Sequence, residues 1–217
     1  MHSGSSFVHR LHRPDDPDGS TLVLLHGTGG DETDLLPLGT RIAPHATLLG
    51  VRGRSTDEGA VRWFRRLTPA TFDQVNVRAE ADQFAAFLPD ALRSYGLDPA
   101  RTAFLGYSNG ANFIAAVMLL HPALVLRAAL LRAMPVLEAP PAPDLSGASV
   151  LTVTGRSDPY GRYGPALNEI LRKLGAHLDA RIIPADHALT HEDVAIVADW
   201  ISLSDSDRAP PGTNDEQ

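Results

Sequence analysis

The sequence predicts a single α/β domain built on a mostly parallel sheet of about seven strands, with helices on both faces. Short apolar runs alternate with longer segments of helical periodicity, as βα repeats require. The run TLVLLHG at 21–27 is almost continuously apolar, which is typical of a strand buried on both faces. No internal repeat or linker divides the 217 residues, a length that suits one domain with its own core.

The predicted strands are the short apolar or β-branched runs that end at turn residues or at a loop. They are Ser6–Leu11, Thr21–His26, Thr47–Val51, Thr102–Tyr107, Arg127–Leu131, Ser149–Thr154 and Ala180–Pro184.

The predicted helices are the segments in which apolar residues recur every three or four positions. They are Glu32–Ala43, Ala79–Tyr95, Asn109–Leu120, Tyr163–Leu174 and His191–Ile201. The last helix has a clear start signal, because Thr190 can cap it and Asp193 follows three positions later, as in a capping box.

Three segments carry no regular pattern. Arg52–Pro69 is rich in arginine and glycine, and Pro135–Leu145 is rich in proline. The end of the chain, residues 204–217, is polar, and we expect it to be a disordered tail beyond a domain at residues 1–203.

Composition excludes several classes of function. The chain has no cysteine, which excludes disulfides, thiolate metal sites and a cysteine nucleophile. A net charge of −7 argues against nucleic acid as a partner. There is no signal-peptide-like apolar region and no apolar run long enough to span a membrane, so we expect a cytoplasmic protein without membrane insertion.

The stretch LGYSNGAN at 105–112 places Ser108 between two glycines, at the junction of a predicted strand and a predicted helix. Chain that leaves a strand and enters a helix at once must turn tightly, and side chains at Gly106 and Gly110 would crowd that turn. The helix N-terminus behind the serine also supplies free N–H groups, where an oxyanion is stabilised. Ser108 is therefore the candidate nucleophile.

A serine nucleophile needs a base, and the base needs a group that orients it. Asp158 follows the strand at 149–154, and His187 follows the strand at 180–184, so both lie where open α/β sheets place their sites. The order serine, aspartate, histidine is that of the α/β-hydrolases. Asp186 is a weaker candidate for the acid, because sequence neighbours rarely align a carboxylate on the adjacent ring.

An oxyanion hole should combine the N–H after the nucleophile, at Asn109, with one from an early strand-to-helix loop. The loop HGTGGD at 26–31 makes the Thr28 amide the natural second donor, and His26 is expected to brace that loop through a backbone hydrogen bond. A phosphate-binding loop is the alternative, but no Gly-Lys-Ser/Thr follows and the glycine spacing does not fit a dinucleotide fingerprint.

Five segments together carry a family resemblance: LHGTGGDETDLLPL at 25–38, VRGR at 51–54 with FRRL at 64–67, LGYSNGAN at 105–112, GRSDP at 155–159 and DHALTHED at 186–193. In this order they resemble the bacterial carboxylesterase/phospholipase family, the acyl-protein-thioesterase-like branch of the α/β-hydrolases, from about Val23 to Trp200. The resemblance implies a serine esterase with Ser108, Asp158 and His187 as triad and the Thr28 and Asn109 amides as oxyanion hole.

The chain departs from that family at two positions. It has Asp186 where the family often has glycine before the catalytic histidine, and Asn109 where thioesterase members often have glutamine after the serine. The second change keeps the amide donor but weakens the case for protein-thioesterase activity.

The arginine-rich segment allows two interpretations. Arg52, Arg54, Arg62, Arg65 and Arg66 accompany only Asp57 and Glu58, with Trp63 and Phe64 among them. It is either a solvated loop with an aromatic anchor or an edge of the substrate site, in which case Arg52, Trp63 and Phe64 are the candidate substrate contacts.

The predicted function is hydrolysis of small to medium carboxylic esters through an acyl-enzyme, without cofactor or metal. The expected partner is a small-molecule ester, and a homodimer is a possible assembly. A lysophospholipase or acyl-thioesterase would use the same triad. A metal hydrolase using His187 and His191 is less favoured because the HExxH pattern is absent, and a non-catalytic binding protein would usually lack a triad member. The segment Arg132–Ala148 is too short for a cap domain, so we expect an open site without a lid.

Overall fold

The computed structural model describes residues 7–56 and 59–206, which contain nine strands and five α-helices. The strands are β1 (His9–His12), β2 (Thr21–Leu25), β3 (Thr47–Val51), β4 (Arg66–Thr68), β5 (Thr71–Phe72), β6 (Thr102–Tyr107), β7 (Arg127–Leu131), β8 (Ser149–Gly155) and β9 (His177–Ile183). The helices are α1 (Leu36–Ile42), α2 (Gln74–Tyr95), α3 (Asn109–Leu120), α4 (Gly164–Lys173) and α5 (His191–Ser206).

Seven of these strands form one sheet in the order β1-β3-β2-β6-β7-β8-β9. Every pair is parallel except β1 with β3, which is antiparallel. The strand order reverses between β2 and β6. The loop after β2 and the turn after β6 therefore both begin at this point of the sheet edge. Ligands of open α/β sheets bind where the order reverses, at the carboxyl ends of the strands.

Helices cover both faces of the sheet, as predicted. Strand β2 shows why, since Val23 and Leu25 belong to the core beneath one helical layer while Leu22 and Leu24 belong to the core on the other face. The first core contains side chains of α2, α3 and α4, and the second contains those of α1 and α5. The mostly parallel sheet between two helical layers confirms the predicted fold class.

Element bounds differ from the predictions mainly at the ends. Helix α1 begins four residues later than predicted, with Pro37 in its first turn, where a missing N–H costs nothing. Helix α2 begins earlier because the Asp73 side chain accepts hydrogen bonds from the Val75 and Asn76 N–H groups. Helix α5 continues to Ser206, so the predicted boundary at residue 203 falls inside it, and residues 207–217 lie outside the described part of the chain.

The arginine-rich segment is more ordered than the sequence suggested. Ser55 and Arg62 form an antiparallel bridge, and β4 and β5 pair as a small hairpin that runs into α2. The segment between β7 and β8, residues 132–148, contains no helix or strand, in agreement with the absence of a cap domain. Within the described residues no helix combines the length and the apolar character needed to cross a membrane.

Candidate active site

The turn between β6 and α3 holds Ser108 in a strained conformation. Its φ of 51° and ψ of −113° lie in a region that residues other than glycine rarely adopt. A Cβ at Gly106 would approach the Ala111 backbone to 2.6 Å, and one at Gly110 would approach the Leu25 carbonyl oxygen to 2.1 Å. The two glycines are therefore needed for close packing, and the turn has the geometry of a nucleophile elbow.

Three strand ends bring Ser108, His187 and Asp158 into one hydrogen-bonded chain. His187 Nε2 lies 2.9 Å from Ser108 Oγ, and His187 Nδ1 lies 2.9 Å from Asp158 Oδ2. The Asp158 carboxylate is buried and accepts hydrogen bonds, which favours the ring proton on Nδ1 and leaves Nε2 to accept a hydrogen bond from the Ser108 hydroxyl. Asp158 Oδ1 also accepts from the Tyr160 N–H at 2.8 Å, which fixes the orientation of the carboxylate.

Thr28 and Asn109, the residues of the two predicted amide donors, line the same cavity as Ser108. Asn109 is the first residue of α3, where main-chain N–H groups have no partner within the helix, and Thr28 lies in the loop after β2. The neighbouring Gly29 N–H donates to the Val61 carbonyl, whereas the described residues offer the Thr28 N–H no such acceptor. Within the described residues, neither amide is committed to a main-chain acceptor.

His26 braces the loop that carries Thr28, as predicted. Its Nδ1 lies 2.6 Å from the Gly27 carbonyl oxygen, and its Nε2 accepts from the Gly53 N–H at 3.0 Å. Burial of the imidazole lowers the pKa of His26 from its ordinary value of 6.5, because a charged ring would lose its hydration. The neutral ring ties the loop after β2 to the segment after β3.

The cavity at Ser108 and His187 has a volume of about 280 Å³. Its apolar walls come from the β4–β5 hairpin, with Pro69 and Phe72, and from Met134 in the segment after β7. The complete set of lining residues is Thr28, Arg62, Arg66, Pro69, Phe72, Tyr107, Ser108, Asn109, Asn112, Arg132, Met134, Tyr160 and His187. This space fits a small organic molecule.

The candidate substrate contacts Arg52, Trp63 and Phe64 are not among the residues that line this cavity. Arg52 instead forms a two-point ion pair with Glu32. The side chains of Trp63 and Phe64 are fully buried, because α2 and α3 close over them and turn both rings into the core. The segment does reach the cavity, but through Arg62, Arg66 and the hairpin.

Trp63 is a fully buried anchor of the arginine-rich segment. Its indole N–H donates to the His26 carbonyl oxygen at 2.9 Å, and its main-chain N–H donates to the Asn109 side-chain oxygen at 2.8 Å. The ring stacks on Phe113 with centroids 5.0 Å apart. Trp63 therefore joins the loop after β2 to the helix that follows Ser108.

The competing side chains lie elsewhere. Asp186 accepts from the Ala188 N–H in its own turn, and it is Asp158 that contacts the His187 ring. His191 begins α5 and its Nδ1 lies 2.9 Å from the Arg41 guanidinium.

Sequence reasoning missed a buried ion pair beside the site. Arg132 contacts both carboxylate oxygens of Asp193, at 2.7 and 2.9 Å, and both side chains are fully buried. An arginine directly after a buried strand and an aspartate at a capping position were the available signals. Tyr107 was missed as well; its hydroxyl donates to the His187 carbonyl oxygen at 3.0 Å, and burial raises its pKa above the ordinary value of 10.0.

Comparison with known proteins places this geometry in a family. The Bacillus subtilis (strain 168) protein named "Putative hydrolase MhqD" is 36% identical over 184 residues, which cover 83% of this chain and 92% of that protein. A carboxylesterase from Mesorhizobium loti is 48% identical with a TM-score of 0.88, covering 90% of this chain and 94% of that one. The Bacillus cereus carboxylesterase is 30% identical with a TM-score of 0.87, covering 93% of this chain and 96% of that one.

No family model matches the sequence. The matches to MhqD and to the two carboxylesterases cover at least 83% of this chain and at least 92% of each relative, and the sheet topology is that of the α/β-hydrolases. This chain therefore belongs to the carboxylesterase/phospholipase family of α/β-hydrolases.

Proposed function

We propose that this protein is a serine carboxylesterase that hydrolyses small to medium carboxylic esters through an acyl-enzyme, with Ser108 as nucleophile, His187 as base and Asp158 as the group that orients the base. The observation that carries the proposal is the hydrogen-bonded chain from Ser108 Oγ through the His187 ring to Asp158. Sequence kinship to two carboxylesterases supports ester hydrolysis as the chemistry.

In the proposed reaction, His187 Nε2 takes the hydroxyl proton as Ser108 Oγ attacks the ester carbonyl carbon. The carbonyl oxygen becomes an oxyanion, and the Thr28 and Asn109 amides donate to it. The C–O bond to the alcohol then breaks, and His187 gives its proton to the departing alkoxide. Water repeats the sequence on the acyl-enzyme, so the products are one carboxylic acid and one alcohol.

The size of the cavity supports small substrates. About 280 Å³ lies just below the range of about 300–1,000 Å³ that is typical of ligand pockets. Phe72 and Pro69 of the hairpin narrow it, and the chain between β7 and β8 adds no helix that could open as a lid. Arg62 and Arg66 add a polar wall, and the solved structure of YahD with malic acid, 25% identical to this chain, shows a relative in complex with a small dicarboxylic acid.

The nucleophile is tested by labelling with a fluorophosphonate and locating the modified residue. We expect modification at Ser108 in the wild type and none in Ser108→Ala, which should fold normally and lose about 10⁵–10⁶-fold in kcat. Modification of another residue, or more than a tenth of wild-type turnover in the folded variant, would show that Ser108 is not the nucleophile. Full activity in the presence of a chelator would argue further against the metal-hydrolase alternative.

The substrate class is tested with nitrophenyl esters of increasing acyl length. We expect C2–C6 esters to react faster than C12–C16 esters, with no rate increase when the substrate passes its solubility limit. A maximum at C12 or longer, or activation by emulsion, would instead favour the lysophospholipase or acyl-thioesterase alternative.

A further inference from the structure

Two side chains at strand ends donate hydrogen bonds to three consecutive main-chain carbonyls, those of Asp186, His187 and Ala188. Arg132 Nε donates to the Asp186 oxygen and Arg132 Nη2 to the Ala188 oxygen, each at 3.0 Å. The Tyr107 hydroxyl donates to the oxygen between them, that of His187, at 3.0 Å. Three consecutive carbonyls of the loop that carries the imidazole are thus held from β6 and β7.

The other end of the same loop is held by Asp193. Its carboxylate accepts from the Thr190 N–H at 2.8 Å and from the Thr190 hydroxyl at 3.0 Å, and it receives two further donors from Arg132. Because Asp193 lies in the first turn of α5, this ion pair fixes the helix start relative to β7. The loop from Asp186 to Thr190 is therefore tied at both ends to one guanidinium.

The backbone at Arg132 adds an independent sign of a constrained position. Ser108 and Arg132 are the two residues other than glycine with positive φ in the described ranges, at 51° and 58°. They follow adjacent strands, β6 and β7, and the Ser108 N–H donates to the carbonyl oxygen of Leu131, next to Arg132. Strained backbone of this kind persists only where the surroundings hold it, and it concentrates at functional sites.

Stability alone does not account for a fully buried ion pair. Removing two charges from water costs free energy that their attraction often fails to recover, and apolar residues can replace such pairs without loss of stability. In this protein the Arg132 guanidinium also supplies donors to two loop carbonyls that apolar side chains could not supply. What the pair contributes specifically is the position of the loop.

We propose that Arg132 and Tyr107 are positioning residues that together form a clamp on the His187 loop and hold the imidazole between Ser108 Oγ and Asp158. The proposal rests on the proposed function, because the clamp acts through His187 as base. Both residues also line the cavity, and in the proposal each acts by setting the position of the ring, to which proton transfer is sensitive at the scale of about 1 Å.

Tyr107→Phe tests the clamp with the smallest change. It removes one hydroxyl and keeps the ring that lies 5.6 Å, centroid to centroid, from His187. We expect kcat to fall by between about 10- and 100-fold with KM within about threefold, because misplacement of the base slows the chemical step more than binding. The second-order rate of fluorophosphonate labelling at Ser108 should fall in step, since that reaction needs the same base.

Tyr95→Phe is the matched control. It also removes one tyrosine hydroxyl that makes a side-chain contact, 2.8 Å from His9 Nε2, in a part of the fold away from the cavity. We expect this variant to keep wild-type kcat.

Arg132→Lys is the second test variant, because a lysine keeps a charge for Asp193 but cannot reach both loop carbonyls. Its kcat should fall at least as far as that of Tyr107→Phe.

The turnover per labelled active site distinguishes a positioning role from a purely structural one. Loss of a purely structural contact would lower Tm or the fraction of protein that can be labelled, but the turnover per labelled site would stay at the wild-type value. Wild-type turnover per labelled site in Tyr107→Phe or in folded Arg132→Lys overturns the clamp. If Arg132→Lys does not fold, Tyr107→Phe decides alone. Failure of the proposed function is distinguished by Ser108→Ala, which would then remain active whatever the two clamp variants do.

Discussion

Replacement of Trp63 by phenylalanine separates a structural role of this side chain from a role in substrate binding. The ring is fully buried, and its N–H donates to the His26 carbonyl oxygen at 2.9 Å. Phenylalanine keeps the stack on Phe113 but has no N–H. The variant therefore leaves a buried carbonyl without this donor and a void where the larger indole had been.

The expected loss of stability follows from these two changes. A buried group deprived of its hydrogen-bond partner costs about 1–3 kcal/mol. A void of about 40 Å³, at about 24 cal/mol per Å³, adds about 1 kcal/mol. We therefore expect Trp63→Phe to lower the free energy of unfolding by about 2–4 kcal/mol. The order of preference among acyl chains should not change, because Trp63 does not line the cavity.

Urea unfolding followed by far-ultraviolet circular dichroism measures the loss, with equal m values required for the comparison. The same preparation is assayed with C2–C16 nitrophenyl esters. A stability within about 0.5 kcal/mol of the wild type would refute the hydrogen-bond argument. A shift of the preferred acyl length with unchanged stability would return Trp63 to the substrate site and refute the assignment of the cavity walls.

Three further predictions concern the histidines and the amide donor. His187→Ala should lose nearly as much kcat as Ser108→Ala, because triad members act as a unit, whereas His191→Ala should stay within a few-fold of the wild type; the reverse pattern in steady-state assays would contradict the assignment of the base. Thr28→Ala should change kcat only slightly, because it keeps the main-chain N–H. Thr28→Pro removes that N–H and should cost about 3–4 kcal/mol of transition-state stabilisation. A folded and fully active proline variant would exclude the Thr28 amide as a donor to the oxyanion. Because the pKa of His26 is lowered in the folded state, this imidazole binds a proton more readily in the unfolded chain. Its contribution to stability is therefore present above pH 6.5 and is lost as the pH falls through the folded-state pKa. Between pH 7.5 and 4.5, the free energy of unfolding measured in urea should fall less steeply with pH for His26→Asn than for the wild type. Parallel plots of this free energy against pH for the two proteins would contradict the prediction.

The candidate triad could be read from the sequence because each member belongs to a local pattern. Ser108 lies in a strand-turn-helix motif whose glycines are required by close packing, and Asp158 and His187 each follow a recognisable strand. Parallel strands place their carboxyl ends at one edge of the sheet, so three separate local predictions converge on one site without knowledge of the packing.

The positions of Trp63 and Phe64 could not be predicted in the same way. Locally they are aromatic residues among arginines, a pattern that suits both a pocket wall and a buried anchor. The choice depends on α2 and α3, whose side chains close over the two rings from distant parts of the chain. The short strands β4 and β5 were missed for a related reason, because runs of three and two residues carry too few side chains for a period to be visible.

The sequence by itself determined the fold class, the strands that end at the site and the residue types proposed for its chemistry, since periodicity and turn chemistry act between near neighbours. Only the tertiary structure decided which buried charges meet. Arg132 and Asp193 are 61 positions apart, and each has an ordinary local explanation, one as a residue after a strand and the other as part of a helix cap. Their pairing arises because β7 packs beside β8 and α5 returns across the same face, so the contact depends on the whole sheet and not on either segment.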